Sequence, residues 1–269
     1  MPIAAVNGIK LGYAEFGAGE PLVLVTGTGA PGRVWQAHQV PALTAAGYRV
    51  ITVDNRGVPP TEAAEPFTLA DMVADIAGLI EFLDAAPCRI VGFSLGGMIV
   101  QELLAARPDL VSRAVLMATR GRSDVMALAM SAGETELHGS GIELPPRYAA
   151  AIHATHYLSP RTLSDEQAIG DWLELFEMTS GSSGAVRAQL GLEMIPNRLD
   201  VYRGIKCPCL VVAFEDDLIV RPHLCREVAD AIPGSAFVTL PGCGHYGYLE
   251  DPAAVNAQII GFFGDRSRR

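Results

Sequence analysis

Long apolar runs are missing from this chain, and so is any excess of positive charge. Nowhere do about 18 apolar residues run uninterrupted, the length a membrane-crossing helix needs, and the first residues show no basic stretch followed by an apolar core. A soluble, cytoplasmic protein is the expectation, with no membrane partner. Basic residues are the minority: 20 Lys and Arg stand against 30 Asp and Glu, a formal net charge of −10. Nucleic acid and anionic lipid would both be repelled, which argues against either as a partner. The run Arg266-Ser267-Arg268-Arg269 reads as a solvated end. Cysteine is scarce as well, with 5 residues in 269, an odd number in a chain long enough to bury a core without covalent staples. Cys88, Cys207, Cys209, Cys225 and Cys243 are therefore expected to be reduced and mostly buried. Cys207-Pro208-Cys209 lacks the two-residue spacing of structural zinc sites, and no second Cys or His pair stands near it, so neither metal nor cofactor is expected.

What the chain does have is alternation. Hydrophobic residues make up 49% and charged residues 19%, a globular composition. Residues 4–16 read as a hairpin turned at Asn7-Gly8, where both positions tolerate positive φ. Apolar runs at 22–25, 49–53, 89–91, 114–118, 209–213 and 236–240 read as strands buried on both faces. Helical periodicity falls between them, interrupted by Pro41 over 35–46, opened by a Thr68/Asp71 capping pair over 69–85, and again over 95–106, 222–231 and 252–263. This order predicts an α/β fold with a mostly parallel sheet and helices on both faces. The alternation breaks after Thr119. Residues 120–200 carry helical stretches at 123–137, 147–157, 163–178 and 186–194, a flexible Ser/Gly-rich break at 179–184 and no buried strand. An all-helical insertion of this kind is the signature of a cap, or lid, and divides the chain into a core of 1–119 and 201–269 and a cap of 120–200.

The chemistry centres on Val91-Gly92-Phe93-Ser94-Leu95-Gly96-Gly97, where a strand runs into Gly-x-Ser-x-Gly and then into a helix. That is the order of a nucleophile elbow: the serine sits on a sharp, strained turn, small residues on either side let strand and helix approach, and the helix start aims N–H groups at nearby negative charge. A chain with 28 glycines produces such spacings by chance, so the motif counts only in company with a base and an acid. A serine hydroxyl needs a base to take its proton, and imidazole needs a carboxylate to fix its tautomer. Functional groups of a parallel sheet collect past the carboxyl ends of its strands. Past the strand at 209–213 lies Phe214-Glu215-Asp216-Asp217, and past 236–240 lies Pro241-Gly242-Cys243-Gly244-His245. Of 6 histidines, only His245 follows a strand in a Gly-rich loop; His38, His138, His153, His156 and His223 read as structural. The chain order is Ser, acid, His, as in elbow-type hydrolases.

With these residues assembled, the chain resembles the α/β-hydrolase superfamily, specifically its cap-bearing branch of esterases, lactonases and cofactor-free perhydrolases, over residues 4–119 and 201–263. The resemblance implies an eight-stranded sheet. It makes Ser94 the nucleophile, His245 the base, and the acid the last carboxylate of a Gly-x-x-Asp turn, which here falls on Asp217, with Phe214 in place of the Gly and Asp216 as runner-up. It implies an oxyanion hole from the backbone N–H groups of Leu95 and Thr28, the latter in Thr26-Gly27-Thr28-Gly29, where Thr26 replaces a His that usually braces the loop. The family's Asp-x-Arg-Gly loop appears as Asp54-Asn55-Arg56-Gly57, stiffened by Pro59 and Pro60, and reads as structural.

A serine at the elbow points to acyl transfer to water and away from relatives with Asp there. The expected activity is hydrolysis of an ester, lactone or related acyl bond in a medium-sized apolar small molecule. Trp35, Met98, Met126, Trp172, Phe176 and Tyr246 are the candidate pocket residues, since the insertion is rich in apolar, deformable side chains. Three alternatives stay open: a non-hydrolytic triad enzyme (perhydrolase, lyase or cyclase), a thioesterase with a basic patch from Arg120, Arg122, Arg147 and Arg161, or a slow-turnover small-molecule binding protein. A homodimer is left open.

Overall fold

A computed structural model describes residues 1–63, 66–179, 189–190, 192 and 195–265. The expected helix at 186–194 and the Ser/Gly-rich break at 179–184 fall mostly outside the described residues, and the basic end at 266–269 falls wholly outside.

Eight strands form one sheet in the order β1-β2-β4-β3-β5-β6-β7-β8: Ile3–Val6 (β1), Ile9–Phe16 (β2), Glu20–Val25 (β3), Tyr48–Val53 (β4), Cys88–Phe93 (β5), Val111–Met117 (β6), Cys209–Phe214 (β7) and Ala236–Leu240 (β8). β1 pairs antiparallel with β2, and β2 with β4; every pairing from β4 through β8 is parallel. The hairpin turns where expected, with Asn7 at φ 46° and Gly8 at φ 75°. The parallel strands are buried along their length because helices cover both faces. On one face pack Leu69–Phe82 (α2), Leu95–Ala106 (α3) and Pro222–Ala231; on the other, Gln39–Ala45 (α1) and Pro252–Gly264. α2 opens with a full capping box, Thr68 accepting from Asp71 N–H while the Asp71 carboxylate accepts from Thr68 N–H. The helical reading of 35–46 resolves into a 3-10 turn at Gly32–Gln36 followed by α1. Pro41 lies in the first turn of α1, where a missing N–H costs nothing.

Between β6 and β7 come Val125–Ser140 (α4), Pro146–Tyr157 (α5), Pro160–Leu163 (α6), Glu166–Thr179 (α7) and Leu199–Tyr202 (α8), with no strand among the described residues. The single helix expected over 163–178 is instead two. The Asp165 carboxylate accepts the N–H groups of Gln167 and Ala168, which starts α7 afresh at that point. After α8 the core resumes with Pro222–Ala231 (α9), then Gly247–Glu250 (α10) and Pro252–Gly264 (α11). The helices between β6 and β7 have a small buried cluster, Ala150, Ala154, Leu158 and Phe176, against which Tyr246 packs from the segment after β8. No described helix is long and apolar enough to cross a membrane.

Candidate active site

Ser94 is the residue on which the sheet hinges. It joins β5 to α3 at φ 54°, ψ −118°, a backbone region costly for a non-glycine residue. A β-carbon at Gly92 would come within 2.5 Å of Gly96 O, and one at Gly96 within 2.3 Å of Val25 O, so neither position has room for any side chain. A β-carbon at Gly27 would lie 3.1 Å from Ser94 Cβ, which shows how closely the loop carrying Thr28 approaches the serine. Leu95 is the first residue of α3, its backbone N–H among those that the helix leaves without an internal acceptor.

His245 arrives in the loop after β8 and Asp217 in the loop after β7. His245 Nε2 stands 3.2 Å from Ser94 Oγ, and His245 Nδ1 stands 2.8 Å from Asp217 Oδ2. Both are almost wholly buried, at 2% and 1% exposure. The second Asp217 oxygen accepts the N–H groups of Ile219 and Val220, each at 2.8 Å, so the carboxylate is fixed before it meets the imidazole. Asp216 is turned elsewhere: its N–H donates to Cys243 O, and its carboxyl is pushed above its ordinary range by burial and by Glu215 and Glu250, with Arg161 opposing. Of the two candidate acids, the geometry joins Asp217 to His245.

Aromatic rings surround this relay. Phe93, Tyr157 and Tyr246 lie 5.0, 5.5 and 6.0 Å from the His245 ring, and Trp172 and Phe176 of α7 lie 6.1 and 6.3 Å from Tyr246. Of the six expected pocket residues, Tyr246, Trp172 and Phe176 are thus brought together beside His245. The structure places the other three apart from this cluster of rings. Trp35 is fully buried in the core, edge-on to Phe93 and against Tyr248, because the 3-10 turn drives it under the sheet. Met98, one turn along α3, is buried at 2% exposure among core residues. Met126 is 51% exposed on α4. Of the suggested basic patch, Arg120 is buried and Arg122 is held by both oxygens of Glu227, while Arg147 and Arg161 are exposed.

Four residues make contacts around the site that the sequence does not reveal. His153 on α5 stacks on Tyr157 at 4.0 Å and its Nε2 lies 3.1 Å from Tyr246 Oη; burial, reinforced by His245 and His156, pushes its pKa down to about 4. His156, three residues further along α5, is exposed. Glu250 on α10 accepts at Oε1 from Ser159 N–H and from the hydroxyls of Ser159 and Thr162, and at Oε2 from Gly244 N–H. Asn55 donates to Thr26 O, and Gln189 accepts from Gly29 N–H. Only Glu250 carried a signal, its place just ahead of Pro252 at the start of a helix; the others answer to contacts between distant segments. A groove of about 480 Å³ runs behind the acid loop, lined by Leu158, Leu163, Glu215, Asp216, Asp217 and Arg221, and does not include Ser94 or His245. Among the described residues, no group of three or more His, Cys, Asp or Glu side chains is placed to hold a metal ion.

Comparison with known proteins follows the same lines. A family model described as "Alpha/beta hydrolase family" matches residues 22–258. The chain is 49% identical over 256 residues to the Putative non-heme bromoperoxidase BpoC of Mycobacterium tuberculosis, covering 95% of this chain and 98% of that one. The crystal structure of BpoC from strain H37Rv superposes with a TM-score of 0.93 at 48% identity, covering 96% of each chain. The enol-lactonase from Burkholderia xenovorans LB400 superposes with a TM-score of 0.83 at 26% identity, covering 98% of this chain and 100% of that one. Sheet order, elbow and family match agree, and the chain belongs to the alpha/beta hydrolase family.

Proposed function

We propose that the chain is a serine hydrolase that cleaves an ester, lactone or related acyl bond of a medium-sized apolar molecule. The observation that carries this reading is the buried relay from Ser94 Oγ through His245 to an Asp217 already fixed by two backbone N–H groups. In this mechanism Ser94 Oγ forms a bond to the substrate carbonyl carbon while its proton passes to His245 Nε2. The carbonyl electron pair moves onto oxygen and is met by the N–H groups of Leu95 and Thr28, each such donor being worth about 3 kcal/mol in the transition state. Collapse expels the alkoxide, which leaves with the proton from His245, and water then repeats the sequence on the acyl-enzyme. Asp217 holds the imidazole in the tautomer that bears its proton on Nδ1 and stabilises the charged form. The rings of Tyr246, Trp172 and Phe176 favour an apolar acyl or leaving group, and the structural likeness to an enol-lactonase supports a cyclic or enol ester within that class.

The 49% identity to a relative named as a bromoperoxidase favours one second reading, perhydrolysis. Hydrogen peroxide would attack the acyl-enzyme in place of water, releasing a peracid and returning the proton to Ser94 through His245, with the same residues in the same roles.

The test is labelling by a fluorophosphonate probe and turnover of a short-chain p-nitrophenyl ester, with and without hydrogen peroxide. Both are expected in the wild type and absent from Ser94→Ala and His245→Ala. Asp217→Asn, which forces the wrong imidazole tautomer, is expected to lower kcat by about 10³- to 10⁴-fold. Asp216→Asn should change it by less than about threefold, given typical surface substitutions. Labelling that survives Ser94→Ala would refute the assignment of the nucleophile.

A further inference from the structure

We infer that Gln189, a residue of the helical insertion, is a positioning residue for the oxyanion loop. The inference rests on the serine-hydrolase reading above. The loop that carries Thr28 is tied internally, with the Thr26 hydroxyl donating to Ala30 O at 2.8 Å, and it is tied to the core by Asn55, which donates to Thr26 O at 3.0 Å. Both contacts hold the ends of the loop. Its middle is reached from the other side of the site: Gln189 Oε1 accepts Gly29 N–H at 2.8 Å, while Gln189 Nε2 donates to Arg56 O at 2.7 Å. Gln189 is fully buried, and its carboxamide spans two loops of the core from 160 and 133 residues away. Arg56 is no loose anchor, since its guanidinium meets both oxygens of Asp75 on α2 at 2.6 and 2.7 Å.

A peptide unit is planar, so fixing the direction of Gly29 N–H also fixes the Thr28 carbonyl, and with it one side of the residue whose own N–H faces the developing oxyanion. Gly29 has φ 65°, a region that glycine leaves as easily as it enters. Gln189 Oε1 opposes rotation of that peptide at its N–H end. Where Thr26 stands in place of a bracing histidine, the brace comes from the insertion. An oxyanion donor acts on the transition state and not on bound substrate, so a fault in its placement lowers kcat and leaves KM nearly unchanged.

The experiment uses the full chain carrying Gln189→Met, which keeps the shape and loses both hydrogen bonds, and Gln189→Glu, which keeps the acceptor to Gly29, loses the donor to Arg56 and sets a negative charge beside the oxyanion loop. Turnover of p-nitrophenyl acetate is expressed per serine titrated to completion with fluorophosphonate, and inhibition by phenylboronic acid, which forms a tetrahedral adduct on serine, reports the oxyanion site separately. Gln189→Met is expected to lower kcat per titrated site about 10- to 100-fold, a fraction of the loss of a whole donor, with KM within about twofold and boronate binding weakened in proportion to kcat, whereas Gln189→Glu, which keeps the acceptor, is expected to lose less than Gln189→Met. Should Gln189→Met fail to fold, Gln189→Ala, which also removes the acceptor to Gly29 N–H, decides the question. Unchanged kcat per site and unchanged boronate binding, with only thermal stability or the titratable fraction reduced, would make Gln189 a packing residue and overturn the assignment. Absence of Ser94-dependent turnover in the wild type would instead overturn the hydrolase reading, and this assignment with it.

Discussion

His153 is a histidine that the fold keeps neutral. Its ring lies flat against Tyr157, edge-on to Phe176 and within hydrogen-bond distance of Tyr246 Oη, and His245 and His156 are the titratable groups whose charge it feels besides those tyrosines. Burial disfavours the imidazolium, so the pKa falls from 6.5 to about 4. The unfolded chain therefore binds a proton at this site more readily than the folded one between those values. Stability is fully present above pH 6.5 and is lost as pH falls toward 4, by an amount on the order of 3 kcal/mol if the site stays closed. His153→Phe keeps the stacked ring and cannot titrate. Its melting temperature should thus fall less steeply than that of the wild type between pH 6.5 and 4, as followed by circular dichroism. Parallel slopes would mean that water reaches the ring and that the insertion is looser around α5 than its packing implies.

The contact between α5, α6 and α10 makes one edge of the insertion part of the candidate site. Gly244 N–H and the donors of Ser159 and Thr162 converge on the single carboxylate of Glu250, and Tyr246 N–H donates to Tyr157 O. Gly244 leaves no slack, since a β-carbon there would meet Leu158 C at 2.6 Å and Ser159 N at 2.7 Å. This corner cannot lift without dragging the loop that presents His245. Glu250→Ala strands buried donors on both sides, a loss of about 2 kcal/mol by the usual cost of an unsatisfied group, and a urea unfolding midpoint lowered at unchanged slope is the expected result. An unaltered midpoint would show that solvent already satisfies these donors. What the sequence makes legible at this scale is local. The Asn7-Gly8 turn, the Thr68/Asp71 box, the Gly-x-Ser-x-Gly elbow and the helix at 222–231 are each dictated by neighbours a few residues apart, and each stands where expected. Ser159 and Glu250 are 91 residues apart, and Gly29 and Gln189 are 160 apart. No periodicity links such pairs. Trp35 and Met98 make the same point: an apolar side chain near a catalytic loop in sequence packs according to the direction of its helix, and the structure buries both among core residues.

At the scale of the whole molecule, the question is whether core and insertion open together. All 5 cysteines are free and buried, and they are spread so as to report on separate parts: Cys88 at the start of β5, Cys207 and Cys209 at the start of β7, Cys225 in α9 and Cys243 in the loop before His245. Burial pushes Cys88 up to about 12 and Cys243 to about 11 and raises Cys225, and the hydrogen bond with Cys207, followed by burial, raises Cys209, so near neutral pH thiolate is lacking at these four in the folded state. A thiol-disulfide reagent should then label none of the 5 in the native protein and all of them in denaturant, with rates that follow the global unfolding equilibrium at intermediate urea. Cys243 carries the discriminating signal. It stands beside Gly244, the residue clamped to the insertion by Glu250, and 2 residues before His245. If the insertion lifts as a unit on its own, Cys243 reacts below the urea transition while Cys88, Cys209 and Cys225 stay protected. If the clamp holds until the sheet fails, the labelling of all the thiols tracks a single transition, and the α5–α6 corner does not open on its own.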